Sequence, residues 1–381
     1  MKCIVNGRVV LSDRVVTGKA VLFDEKIADI VDTDSVGTEK CEIIDADGAY
    51  VAPGLVDMHI HGYLGADVSD GDPEGIKKMA RGIAENGVTS WCPTTMTVSE
   101  KEILAAFDAA RKVKGESEYY GARILGINCE GPFINPSKKG AQAEEHIKRP
   151  DGDFIINNAD ILKVYTVAPE MDGALECIEK VYKDGRVLSS MGHTGATFEE
   201  AKAGIAAGVR HTTHLFNAMT PLMHRNPGVV GAALGDDRVS CELIADTFHV
   251  NKGLFGIVAK LKGDKLCLIT DCMRAGGMPD GDYTLGGQPV KKKGIQCLLE
   301  DGTIAGSVLK LNNAVKNLYD NTDLSVAEAF AAASLNPAKV LGEDGEIGSI
   351  EAGKRADIII CDDDFNIIKT IIGGTIRYEC K

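Results

Sequence analysis

Hydrophobic and polar positions change their period twice along this chain. Near the N-terminus there is no helical repeat. Short β-rich runs, Cys3-Ile4-Val5 and Ala20-Val21-Leu22-Phe23, are separated by turn signals at Asn6-Gly7 and Asp47-Gly48. The C-terminal stretch reads the same way, with strand-like runs over 356–361 and 366–369 and a Gly373-Gly374 turn. Two β-rich ends around a different middle predict one small β domain built from both termini. Its expected extent is 1–52 and 344–381, with a central domain over 53–343.

The middle alternates helices and short apolar runs. Ser99 with Glu102, Thr197 with Glu200, and Ser325 with Glu328 fit capping boxes that open helices. Gly87, Gly115, Gly185 and Gly208 stand where helices should stop. Between them lie candidate strands over 51–58, 88–91, 123–129, 162–167, 187–190, 209–213, 241–245 and 266–270. This alternation predicts a parallel sheet with helical crossovers. Eight units favour closure, so the expected fold is α/β: a (β/α)8 TIM barrel with a small β-sandwich.

Composition narrows the function classes. The chain has 381 residues, enough for a sizeable core, and 44% are hydrophobic. The 42 Lys+Arg against 56 Asp+Glu leave a net charge of −14, which disfavours nucleic acid and anionic membranes as partners. No apolar run approaches the ~20 residues that span a bilayer. The N-terminus reads as strand and turn, so no leader is expected. Eleven scattered cysteines without a C-x-x-C pair suit reduced thiols and a cytoplasmic setting. Aromatics at 5%, with Trp91 the single tryptophan, argue against a stacking platform.

A barrel carries its active site at the C-terminal ends of its strands. Here those ends hold Asp57-Met58-His59-Ile60-His61, Asn128-Cys129-Glu130-Gly131-Pro132, Gly192-His193-Thr194, His211-Thr212-Thr213-His214, Asp246-Thr247-Phe248-His249 and Thr270-Asp271. His59 and His61 share one face of a strand by their i, i+2 spacing. Imidazole and carboxylate together suit Zn²⁺ or Fe²⁺, and Glu130 has the option of bridging two ions. Two structural histidines would explain the lone H-x-H pair. With Glu130, His193, His214 and Asp271 at other strand ends, a metal site explains more. Gly131-Pro132 predicts a sharp exit from the strand after Glu130. His211, an odd number of residues from His214, should point away and be structural. Asp271 reads either as a helix cap or as a general base and then acid beside activated water.

The frame 52–62, Ala-Pro-Gly-Leu-Val-Asp-Met-His-Ile-His-Gly, and the tail Gly348-Ser349-Ile350-Glu351-Ala352-Gly353 resemble the amidohydrolase superfamily. Glu130-Gly131-Pro132-Phe133, Lys138-Lys139-Gly140-Ala141, His214-Leu215-Phe216-Asn217-Ala218-Met219 and Leu285-Gly286-Gly287 resemble its branch of amino-sugar-phosphate deacetylases. The resemblance covers essentially the whole chain. It implies hydrolysis of the N-acetyl group of N-acetyl-D-glucosamine 6-phosphate, giving acetate and glucosamine 6-phosphate. It implies a divalent metal, zinc or iron, one or two per subunit. Glu130, His193 and His214 would hold the main ion, His59 and His61 a second, and Asp271 would move the proton. Asn217, Ala218, Arg225 and His249 would take the sugar phosphate, with Arg225 reaching from a neighbouring subunit of a homodimer. Ala141 and Gln142 would face the sugar, where many relatives carry His at the latter position, and Ala305 and Gly306 would close the pocket. The alternatives are an amidohydrolase for another N-acyl sugar phosphate or amino acid, and a non-catalytic barrel scaffold.

Overall fold

The computed structural model describes residues 1–36 and 41–380. Its centre is a ring of parallel strands: Leu55–Ile60 (β1), Val88–Thr95 (β2), Ile127–Phe133 (β3), Leu162–Val167 (β4), Leu188–Met191 (β5), His211–Thr212 (β6), Ser240–Ile244 (β7) and Leu266–Ile269 (β8). Each pairs in parallel with the next in chain order. The ring is nearly closed between β8 and β1. There the Asp271 amide donates to the His59 carbonyl at 2.9 Å and the Thr270 hydroxyl to Asp57 Oδ2 at 2.6 Å. This is the expected (β/α)8 barrel.

Helices follow the strands because their sequences present one apolar stripe each. The helix Pro73–Ala84 buries Ile76, Met79, Ala80 and Ile83, an i, i+3, i+4, i+7 pattern. The three anticipated capping boxes are all formed, at Ser99 with Glu102, Thr197 with Glu200 and Ser325 with Glu328. Gly115, Gly185 and Gly208 cap helix C-termini, while Gly87 lies past its helix in a left-handed turn.

Two further sheets come from the chain's ends. One is ordered Ile27–Asp32, Lys19–Phe23, Lys2–Val5, Glu42–Asp45. The other runs Thr375–Glu379, Ile367–Ile372, Ile358–Cys361, Tyr50–Pro53, Arg8–Val10, Val15–Val16. Ile4, Val21, Phe23 and Ile44 from the first meet Val9, Val51, Ile358, Ile360 and Ile371 from the second in a separate apolar cluster. That is the small sandwich expected from both termini.

Two anticipated strands are each split. Residues 51–58 divide at Gly54: Tyr50–Pro53 joins the terminal sheet and Leu55–Ile60 the barrel. A Cβ at Gly54 would stand 2.2 Å from the Thr89 hydroxyl, so only glycine lets the chain cross between layers there. Residues 123–129 divide into Arg123–Ile124 and Ile127–Phe133. A three-stranded antiparallel unit, Gly281–Leu285, Gln288–Lys293 and Gln296–Leu298, follows β8. It reaches the barrel mouth, where Gln288 Nε2 donates to the Ala141 carbonyl at 2.6 Å.

Candidate metal centre

The donor residues are placed by one recurring local device. His193, His214 and Asp271 each lie two residues past the end of a strand, β5, β6 and β8 respectively. All three have left-handed backbones, with φ of 46°, 29° and 48°. Histidine and aspartate tolerate that region better than branched residues, at a cost of about 1–2 kcal/mol each. The left-handed turn breaks the strand alternation and swings each side chain over the barrel mouth. It also corrects the expectation for His211. That residue does not point away: it is buried beneath the site, with Nε2 3.2 Å from Glu242 Oε1 and Nδ1 2.6 Å from Ser240 Oγ.

Glu130 is delivered differently. β3 continues to Phe133 rather than ending at Gly131-Pro132, and its register to β4 shifts between Cys129 and Phe133. Gly131 has φ 84° and proline has no N–H to offer the ladder, so this segment bulges and turns Glu130 inward. His59 lies in β1 and His61 just after it, on the same face as their spacing requires.

The six side chains form two buried triads, His59–His61–Asp271 and Glu130–His193–His214. Glu130 Oε1 is 2.9 Å from His214 Nε2 and 3.2 Å from His193 Nε2, while Oε2 is 3.1 Å from His61 Nε2. The carboxylate therefore stands between the triads. Asp271 Oδ1 is 3.2 Å from His61 Nε2 and 3.6 Å from His59 Nε2.

The tautomers show what this arrangement fits. His61 Nδ1 lies 3.1 Å from the Thr94 carbonyl and His193 Nδ1 2.8 Å from the Lys138 carbonyl; both must donate. His59 Nδ1 is 2.9 Å from the Glu242 carboxylate. Each neutral ring then presents an Nε2 lone pair to the centre. Yet His59 and His61 face each other through Nε2 at 3.3 Å, and His193 and His214 at 3.1 Å. Lone pairs converge this closely when a cation lies between them or when a ring is protonated. Without a cation, protons must serve. Against the downward pull of burial, Glu242 and Glu130 push His59 up to about 9, and Asp271 and Glu130 push His61 well above its ordinary value. Burial resists ionisation of Glu130, but His59 and His193 hold it well below the usual carboxylate range. Imidazole and carboxylate donors in this number fit one or two divalent ions of zinc or iron type.

A cavity of about 360 Å³ opens over the donors. Of the residues anticipated at the substrate, Ala141, Gln142, Asn217, Ala218, His249 and Gly306 line it. His249 is fixed by Asp246, whose Oδ2 is 2.6 Å from its Nδ1. Asn217 donates Nδ2 to the His214 and Leu215 carbonyls, which ties the loop after β6. Two anticipated residues are not on this wall. Ala305 is buried behind it, between the lining residues Ile304 and Gly306. Arg225 is exposed on the loop after β6, which carries it out to solvent. Glu242 had not been singled out; a lone glutamate inside the apolar run of β7 was the available signal.

The amidohydrolase family model matches residues 50–377. N-acetylglucosamine-6-phosphate deacetylase of Bacillus subtilis is 40% identical over 336 residues, covering 86% of this chain and 85% of that one. N-acetylgalactosamine-6-phosphate deacetylase of Escherichia coli O157:H7 is 38% identical over 340 residues, covering 88% and 89%. Among solved structures, N-acetylglucosamine-6-phosphate deacetylase from Pasteurella multocida superposes with a TM-score of 0.94 at 30% identity, covering 98% of this chain and 99% of that one.

Proposed function

The chain belongs to the amidohydrolase family, and from that premise we propose that it hydrolyses the N-acetyl group of N-acetyl-D-glucosamine 6-phosphate. The products are acetate and glucosamine 6-phosphate. The observation that carries this reading is the pair of buried triads joined by Glu130 under a sugar-sized cavity. In this reading Glu130, His193 and His214 hold one ion, and His59 and His61 hold a second. Zinc or iron bound there supplies Lewis acidity to the amide carbonyl and to the attacking water.

The chain's own residues do the rest. Asp271 faces both the donors and the cavity. Burial resists its ionisation, but His61 and His59 keep its carboxylate below the ordinary value, ready to accept a proton. It takes the proton of the water and returns it to the departing amine. Asn217, Ala218 and His249 bind the sugar phosphate from the wall, while Ala141 and Gly306 bound the space around it.

Arg225 completes the phosphate site across a homodimer interface. The exposure of Leu222 and Met223 beside it, 55% and 56%, supports burial of this loop against a second copy. Eleven scattered cysteines, nine of them buried, support a reducing, cytoplasmic setting. Among the described residues no helix is long and apolar enough to cross a membrane. The separate apolar cluster of the terminal sheets supports a domain division into 1–52 with 344–381 and 53–343.

A second reading, the galactosamine epimer as substrate, is favoured by the nearly equal likeness to the Escherichia coli relative. Acetate release should be measured from both 6-phosphates and from unphosphorylated N-acetylglucosamine, with metal analysis of the same sample. The proposal expects release from the glucosamine derivative and dependence on its phosphate. Release from neither 6-phosphate by metal-replete protein would remove it.

A further inference from the structure

Glu242 is entirely buried in β7, where Ser240, Glu242 and Ile244 share one face by strand alternation. A carboxylate in such a place is stable only when fully paired. Its partners are unusual in where they lead. Oε2 accepts from His59 Nδ1 at 2.9 Å and from the His214 backbone N–H at 2.8 Å. Oε1 lies 3.2 Å from His211 Nε2, and His211 is itself tied to Ser240 Oγ.

His59 belongs to one triad and His214 to the other. A single carboxylate oxygen thus holds a ring of the first triad and the backbone of the second. The hold on His214 is at the left-handed turn that aims its ring, at φ 29°. It matters more there because His214 Nδ1 has no hydrogen-bond partner of its own, unlike the other three rings. Its ring is held by its backbone, its Nε2 contacts and packing against the rings of His59 and His193.

We propose that Glu242 is a positioning residue that locks both metal triads at once, so that the two ion sites share one support. This rests on the metal reading above. Removing the carboxylate should then weaken ion binding in both triads, although it touches no ion donor atom of the second. Outer partners of this kind are typically worth about 10–100-fold in metal affinity.

Co²⁺ alone is the probe, since its visible absorption reports coordination without turnover. Two backgrounds isolate the triads: His193→Ala leaves His59–His61–Asp271 intact, and His61→Ala leaves Glu130–His193–His214. Glu242→Met, which keeps the length and removes both acceptor oxygens, is then added to each, and metal-free melting is recorded alongside. The proposal expects Co²⁺ affinity to fall about 10–100-fold in both backgrounds. A fall confined to the His193→Ala background overturns it, because Glu242 would then serve His59 only. No fall in either background also overturns it. If Glu242→Met melts far below wild type, Glu242→Asp makes the same comparison, keeping the charge but withdrawing it by one methylene. A wild-type protein that binds no Co²⁺ at all would instead defeat the metal reading itself.

Discussion

Gln142 donates its Nε2 to Glu130 Oε2 at 2.6 Å, and its Oε1 accepts the Thr97 amide at 2.6 Å. The residue expected to face the sugar therefore also holds the carboxylate that joins the two triads. With both ends engaged and 2% exposure, it has little freedom to turn toward a ligand.

Gln142→Met keeps length and removes both bonds. The buried Thr97 N–H is then unpaired, a loss of about 1–3 kcal/mol in urea unfolding. Glu130 loses its fixing donor, and metal affinity should fall about 10–100-fold by chelator competition. A raised KM with metal affinity and stability unchanged would assign Gln142 to the sugar instead.

These two residues show where sequence reading carries and where it stops. The barrel was legible because helical and extended periods alternate, and six donors were legible because polar residues interrupt apolar runs at strand ends. The split of 51–58 was not. The strands that claim Tyr50–Pro53 are Arg8–Val10 and Ile358–Cys361, the latter some three hundred residues away, and no local pattern reports those pairings. The orientation of His211 failed for a local reason: parity arguments assume an unbroken strand, and the left-handed His214 breaks it. Arg225 illustrates a third limit: it is exposed on the loop after β6, and an exposed arginine of a single chain carries no sign of what it meets.

Asp57 supplies a pH test. It is fully buried, and burial pushes its carboxyl from 3.8 up to about 7, despite the bonds it accepts from Thr270 and His59. The sign follows from linkage. Below about pH 4 the carboxyl is protonated in both folded and unfolded chains. As pH rises toward 7 the unfolded chain ionises first, so the folded state loses up to about 1.4 kcal/mol per unit; above 7 the loss is constant. Asp57→Asn removes this dependence. In metal-free protein its urea stability relative to wild type should improve steadily from pH 4 to 7. A gap that stays flat across that range would show that Asp57 is ionised in the fold.

The interface reading makes Arg225 separable from the subunit that carries it. Arg225→Ala and Asp271→Asn homodimers should each be weakly active. Heterodimers of the two contain one site with a native Asp271 and a native Arg225 supplied by the neighbour. Mixed under subunit exchange, they should recover up to about half of wild-type activity per heterodimer, because one of two sites is whole. Confirmed heterodimers without recovery would return Arg225 to its own subunit or to the solvent.

Asp271 separates chemistry from scaffolding. Its Oδ1 lies 3.2 Å from His61 Nε2 and faces the cavity, so it touches both a donor ring and the space where the water must sit. Asp271→Asn nearly preserves shape but cannot accept a proton. Acid–base help of this kind is worth about 10²–10⁴-fold, and kcat should fall by at least that range. The Glu130–His193–His214 triad does not include Asp271, so one ion per subunit and sugar-phosphate binding should survive by elemental analysis and calorimetry. The pH profile should change as well. With burial opposing and His61 and His59 prevailing, the Asp271 carboxyl lies below its ordinary value, so its share of activity is lost only toward acid pH. The variant should lack that acid limb. A kcat within a few-fold of wild type at metal saturation would place the proton transfer elsewhere, with His249, held by Asp246 on the same wall, as the next residue to replace.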